Sequence, residues 1–208
     1  MDKRKSTRFQ NLLLDYSHEL DMNVRKRIEE TLWKEYGTEY AVFILDMSGF
    51  SLLTRKYGIV HYLSMVRRMQ LTSEPIIESF SGSLIKYEAD NCFAVFPEPL
   101  SAIRAAISLQ LAFEASNILT TEDFDIHITC AVDYGKILVV GNEECWGDAV
   151  NRACKLGEDI GKANEILVTK DAMDLIPTGA DLKCKPLEIS VSGINISAYA
   201  IQYREPGV

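Results

Sequence analysis

Apolar positions recur at helical spacing over residues 8–36, with Leu20, Val24, Ile28 and Leu32 in line and Arg25, Lys26, Glu29 and Glu30 on other faces. This pattern predicts one amphipathic helix, stopped by Gly37. The stripe fits packing on the chain's own domain and pairing with a second chain equally well. From Tyr40 the pattern changes. Tyr40–Asp46 reads as a buried strand. Gly58–Phe80 has helical periodicity through Val60, Leu63, Val66 and Met69, with Pro75 threatening a kink. Ser83–Glu88 and Cys92–Phe96 are short strands close enough to form a hairpin, and Leu100–Ser116 is an Ala-rich amphipathic helix. Ile126–Tyr134 is a further strand ended by Gly135, with Lys136–Val140 as a short partner. Ala149–Ile160 is helical, Glu165–Thr169 extended and Ala198–Tyr203 a last strand. Strand, helix, two strands, helix, strand is the βαββαβ order. It predicts an α+β, ferredoxin-like core, an antiparallel sheet with helices on one face, followed by a C-terminal extension.

Composition narrows the function classes. The 208 residues carry 22 Lys and Arg against 30 Asp and Glu, a formal net charge of -8. An acidic chain without a cationic cluster is a poor fit to a phosphate backbone, so no nucleic-acid partner is expected. The longest uncharged apolar run, Ala41–Leu45, is far below the roughly 20 residues that span a bilayer, so no membrane partner is expected either. Cys92, Cys130, Cys145, Cys154 and Cys184 are odd in number and form no CxxC pair. They fit buried thiols in a reducing compartment, and the chain is expected to be cytoplasmic. His18, His61 and His127 lack metal-ligand spacing.

Two aspartates stand out. Asp46 ends the first strand and runs into Met47-Ser48-Gly49-Phe50, a small-residue turn entering a helix. Such a place suits a cation on the carboxylate and phosphate oxygens on exposed backbone N–H groups. Asp90 lies in the hairpin, which the βαββαβ order sets antiparallel beside the end of strand one. Either aspartate alone is ordinarily an N-cap or a turn residue. Facing each other, they would raise one another's pKa or share a divalent cation.

At these positions the sequence resembles the class III nucleotidyl cyclase catalytic domain, the adenylate and guanylate cyclase family. Leu45-Asp46-Met47-Ser48-Gly49-Phe50-Ser51 resembles the first metal motif, and Ile85-Lys86-Tyr87-Glu88-Ala89-Asp90 with Ala94-Val95-Phe96 resembles the second. Trp146-Gly147-Asp148-Ala149-Val150-Asn151-Arg152-Ala153-Cys154-Lys155-Leu156 resembles the third, and the likeness spans about residues 40–203. Residues 1–37 are then an N-terminal helical segment and 38–208 the catalytic domain.

The resemblance implies a homodimer with active sites at its interface, where a nucleoside triphosphate, with ATP favoured, is cyclised. It implies two Mg2+ or Mn2+ ions per site, held by Asp46, Asp90 and the Met47 carbonyl. One would acidify the ribose 3′-hydroxyl and the other would hold the leaving pyrophosphate. Ser48, Gly49 and Phe50 would line the phosphates. Lys86 stands where adenine-selective members carry lysine; an ammonium only donates, which suits the N1 acceptor of adenine. Glu144 falls where an acceptor for the adenine amino group is common. Asn151 would contact the ribose. One turn on, where the family has an arginine for the α-phosphate, this chain has Lys155, which keeps the charge but not the planar fork. Arg152 lies about 100° round the helix from Asn151. The late Val-Lys-Gly lysine is replaced in Val191-Ser192-Gly193, and the segment from Gly135 to Trp146 is shorter than in many relatives. A degenerate module that binds nucleotide or a partner without turnover, and a cyclase for another base, stay open as alternatives.

Overall fold

The computed structural model describes residues 3–191 and 194–204, so Ser192 and Gly193 lie outside the described residues. The chain opens with two helices, α1 (Lys3–His18) and α2 (Met22–Tyr36), where the periodicity predicts one. The break is made by side chains that displace helical acceptors. The Glu19 carboxylate accepts from the N–H groups of Leu20 (2.8 Å) and Asp21 (2.9 Å), and Asp21 caps α2 by accepting from Asn23 N–H at 2.8 Å. Leu20, assigned to the apolar stripe, is 90% exposed, whereas Leu32 is buried. The expected stop is present: the Gly37 N–H donates to the Trp33 carbonyl, and β1 (Gly37–Met47) starts at that residue.

Two helices follow β1, a short α3 (Phe50–Tyr57) entered by the small-residue turn as expected, and α4 (Ile59–Ser79), which runs on through Pro75. The buried side of α4 is Tyr62, Met65, Val66, Met69, Ser73 and Ile77. Val60 and Leu63, expected inside, are 79% and 55% exposed. The hairpin β2 (Ser83–Glu88) and β3 (Asn91–Phe96) and the helix α5 (Pro99–Asn117) sit where predicted. The two short strands expected around Gly135 are one strand, β4 (Ile128–Val140). Gly135 pairs with Tyr40 inside the ladder, and a Cβ on it would stand 3.3 Å from the Ala149 Cβ, so the glycine admits α6 rather than ending the strand.

Next come β5 (Glu144–Trp146), α6 (Asp148–Cys154), a π-helical turn over Lys155–Ile160, β6 (Ile166–Thr169), α7 (Lys170–Met173), β7 (Cys184–Val191) and β8 (Ile194–Ile201). One sheet in the order β2-β3-β1-β4-β6-β8-β7 joins the strands, with β5 paired to β4. The expected βαββαβ core is therefore present, extended at its C-terminal side. Two features differ from expectation: β4 and β6 run parallel, and helices cover both faces. Phe43, Leu45 and Met47 pack with α4 and α5 on one face, while Val42, Ile44, Phe93 and Val95 pack with Ala149, Val150, Ala153 and Leu156 on the other. Strand alternation puts Asp46 on this second face, beyond Ile44. No described helix is long and apolar enough to cross a membrane.

Candidate active site

The ladder between β1 and β3 sets Asp46 opposite Asn91, the residue after Asp90. The tight turn that makes this possible holds Ala89 at φ 52°, a left-handed conformation that places Asp90 at the hairpin tip. Burial, then the Asp90 charge, then Glu158 push the Asp46 carboxyl up to about 7, against a stabilising N–H from Met47. The sequence-predicted pair is thus brought together, and like charge is concentrated there. Tyr62 from α4, which the sequence pattern marks only as a helix position, brings its hydroxyl under the electrostatic influence of Asp90 and Asp46. Burial and both aspartates hold that phenol neutral. Its only signal in the sequence was an apolar helix position.

Among the described residues no group of three or more His, Cys, Asp and Glu side chains is arranged to hold a metal ion. Two carboxylates and a backbone carbonyl still fit a hard divalent cation of the Mg2+ type, which ordinarily takes one or two carboxylates and completes its shell with water and substrate phosphates. In the folded chain Asp46 binds a proton between its ordinary 3.8 and about 7, so metal-free stability falls as pH rises through that window. A cation must displace that proton. The gain in Tm from Mn2+ should therefore be larger near pH 8 than near pH 6, with proton release measurable by calorimetry in buffers of different ionisation enthalpy. An equal gain at both pH values would show that Asp46 is not a ligand.

The turn after β1 departs from a simple phosphate cradle. The Ser48 N–H already donates to the His127 carbonyl at 2.8 Å, so it is not free for a phosphate oxygen. Gly49, at φ 94°, caps α3, and its carbonyl accepts from Leu53. The first N–H groups of α3, Phe50 onward, have no acceptor within the helix and point out of its N-terminus.

On the same face, Lys86 and Glu144 meet. The Lys86 ammonium lies 3.1 Å from Glu144 and 2.9 Å from Glu88, and 5.2 Å over the Phe93 ring. Glu88, then Glu144, hold the Lys86 pKa above its ordinary value. Asn151 is exposed on α6, and Lys155 begins the π turn one helical turn later. Arg152 points elsewhere. Its guanidinium donates to buried Asp133 (2.6 Å) and to Asp171 (2.9 Å), so it anchors α6 to β4 and is not the missing phosphate arginine.

No protein-family model matches the chain, and no curated protein matches it in sequence. Solved structures do match. The adenylyl cyclase CyaB from P. aeruginosa superposes with a TM-score of 0.70 at 16% identity, over 83% of this chain and 97% of that one. An adenylate/guanylate cyclase/hydrolase from Silicibacter pomeroyi gives 0.67 at 23% identity, over 79% and 96%. The guanylate cyclase domain of RhGC from Catenaria anguillulae, in complex with GTP, gives 0.67 at 18% identity, over 80% and 97%. Both adenylyl and guanylyl enzymes appear, so the likeness does not choose a base. With TM-scores near 0.7 across almost the whole of those domains, this chain has the fold of the adenylyl and guanylyl cyclase catalytic domains.

Proposed function

We propose that the chain is a class III nucleotidyl cyclase that converts ATP to 3′,5′-cyclic AMP and pyrophosphate, at sites shared between the subunits of a homodimer. The observation that carries this reading is the meeting of Asp46 and Asp90 at the end of β1, in a fold shared with adenylyl and guanylyl cyclase structures. Asp46, Asp90 and the Met47 carbonyl would hold two Mg2+ or Mn2+ ions. When bound, these supply positive charge that acidifies the ribose 3′-hydroxyl and neutralises the leaving pyrophosphate.

The remaining roles belong to the chain. Lys86 and Glu144 offer one donor and one acceptor side by side, matching the N1 and amino edge of adenine; guanine presents the opposite N1 polarity. Asn151 orients the ribose. Lys155 sets a point charge against the α-phosphate as negative charge builds there. The backbone N–H groups of Phe50 and the residues that follow it in α3 donate to the phosphate oxygens. The five free cysteines suit a reducing, cytoplasmic setting. Lys155 in the place of an arginine favours one second reading, a nucleotide-binding module without turnover, which would show binding but no product.

Subunit complementation tests the proposal. Asp46→Ala and Lys155→Ala should each be nearly inactive, because each lesion spoils both sites of its own dimer. In a mixed dimer one site carries both lesions and the other carries neither. Random exchange at equal concentrations should restore roughly a quarter of wild-type activity. Mixed dimers that form, by native mass spectrometry, yet stay at parental activity would refute the shared site.

A further inference from the structure

The β5 strand is too short to fix its own orientation. It has three ladder pairs, all to β4, and is entered through Gly141 and Asn142, both at positive φ. Cys145 points inward and is buried. Glu144 and Trp146, two residues apart, therefore share the opposite side. Trp146 does not stand alone there. The Phe9 ring of α1 stacks on it, with centroids 5.2 Å apart and planes at 12°, and turns its edge to Tyr36 of α2 at 5.0 Å and 71°. Phe9 is only 3% exposed, in a small cluster with Leu32, Tyr36 and Val140 that is separate from both faces of the main sheet. Arg8 locks α1 to α2 through paired contacts to Glu35 at 2.7 and 2.6 Å. Lys136 of β4 lies 4.8 Å over the Trp33 ring of α2. The helical pair thus grips β4 and β5 beside Glu144, and Trp146 leads directly into Gly147, the N-cap of α6.

We propose that Phe9 is a positioning residue for base selection: its stack on Trp146 sets the rotation of β5 and so aims Glu144 at Lys86 and the bound base. The inference rests on the cyclase reading given above. It assigns the helical pair a part in nucleotide choice that its sequence does not announce.

The test uses the full chain in a Trp33→Phe background, leaving Trp146 as the sole tryptophan of the original two. Phe9→Leu keeps an apolar side chain at the site but removes the ring, and Phe9→Ala removes both. Trp146 emission reports the stack, and displacement of a fluorescent ATP analogue by ATP or GTP, with Mg2+ present, reports base preference. Phe9→Leu should shift Trp146 emission and narrow the preference for ATP over GTP by roughly three- to tenfold, the range that aromatic pair geometry is worth. Its kcat on ATP should move far less than its KM. A Phe9→Leu protein with shifted emission and an unchanged ATP:GTP ratio would mean that the stack only stabilises the fold. A parent protein that binds neither nucleotide would overturn the cyclase reading itself, and the inference with it. If Phe9→Ala unfolds, Phe9→Leu decides alone.

Discussion

Asp46→Asn should lower cyclic-nucleotide formation by on the order of 10³ or more, and Asp90→Asn should do the same, because each deletes a ligand charge while conserving shape. The fold should not suffer, and for Asp46 it should gain. The ionised Asp46 carboxylate is half-buried beside Asp90 and Glu158, which is why its pKa rises to about 7. A neutral amide removes that repulsion above the pKa. Asp46→Asn should therefore have a higher Tm than the parent near pH 8 in EDTA, and the difference should shrink toward pH 5, where Asp46 is protonated in the folded, metal-free protein. Loss of activity with gain of stability is the mark of a site whose strained charge is kept for function. Activity retained in both variants would remove the two aspartates from the chemistry.

Arg152→Leu should destabilise the fold by about 3 kcal/mol, toward the lower end for breaking a buried pair because the arginine itself is partly exposed. Asp133 is fully buried in β4 and accepts from Arg152, from the Thr169 hydroxyl and from the Tyr134 N–H. Burial pushes its pKa up, while Arg152 and Thr169 pull against that. Without the guanidinium, the carboxylate keeps two donors and no countercharge. Adding Asp133→Asn should recover much of the loss, since the amide oxygen can still accept from both Tyr134 and Thr169 and no unpaired charge stays buried. Urea unfolding of the two single variants and the double variant would show this coupling. Additive losses would mean that the pair is not coupled.

Legibility of this chain followed the range of the interactions involved. The hairpin around Asp90, the strand ending at Asp46 and the helix after Pro99 rest on short patterns, and they stand where those patterns put them. The break at Glu19–Asp21 was hidden because apolar spacing continues across it, whereas the capping bonds that make it are side-chain choices. Gly135 read as a strand end because its use, clearance for Ala149, is tertiary. The β7 strand, with Pro186 and alternating polar residues at the sheet edge, carried no apolar run to mark it. At the site, Asp46, Asp90, Lys86 and Glu144 were legible and are drawn together in pairs. Tyr62 and Phe9 were not, since each reads as an apolar helix position until the fold delivers it to Asp90 or to Trp146. The commitment of the Ser48 N–H to His127 was equally invisible, because it joins residues far apart in the chain.

The most direct measurement is product identification by mass. Purified protein would be incubated with each of the four nucleoside triphosphates, with Mn2+ or Mg2+, and with Asp46→Asn as the control. The expected result is 3′,5′-cyclic AMP and pyrophosphate in equal amounts from ATP, dependent on the cation and absent from the control. Folded, dimeric protein that binds ATP with a divalent cation yet yields no cyclic nucleotide from any of the four would contradict the cyclase assignment.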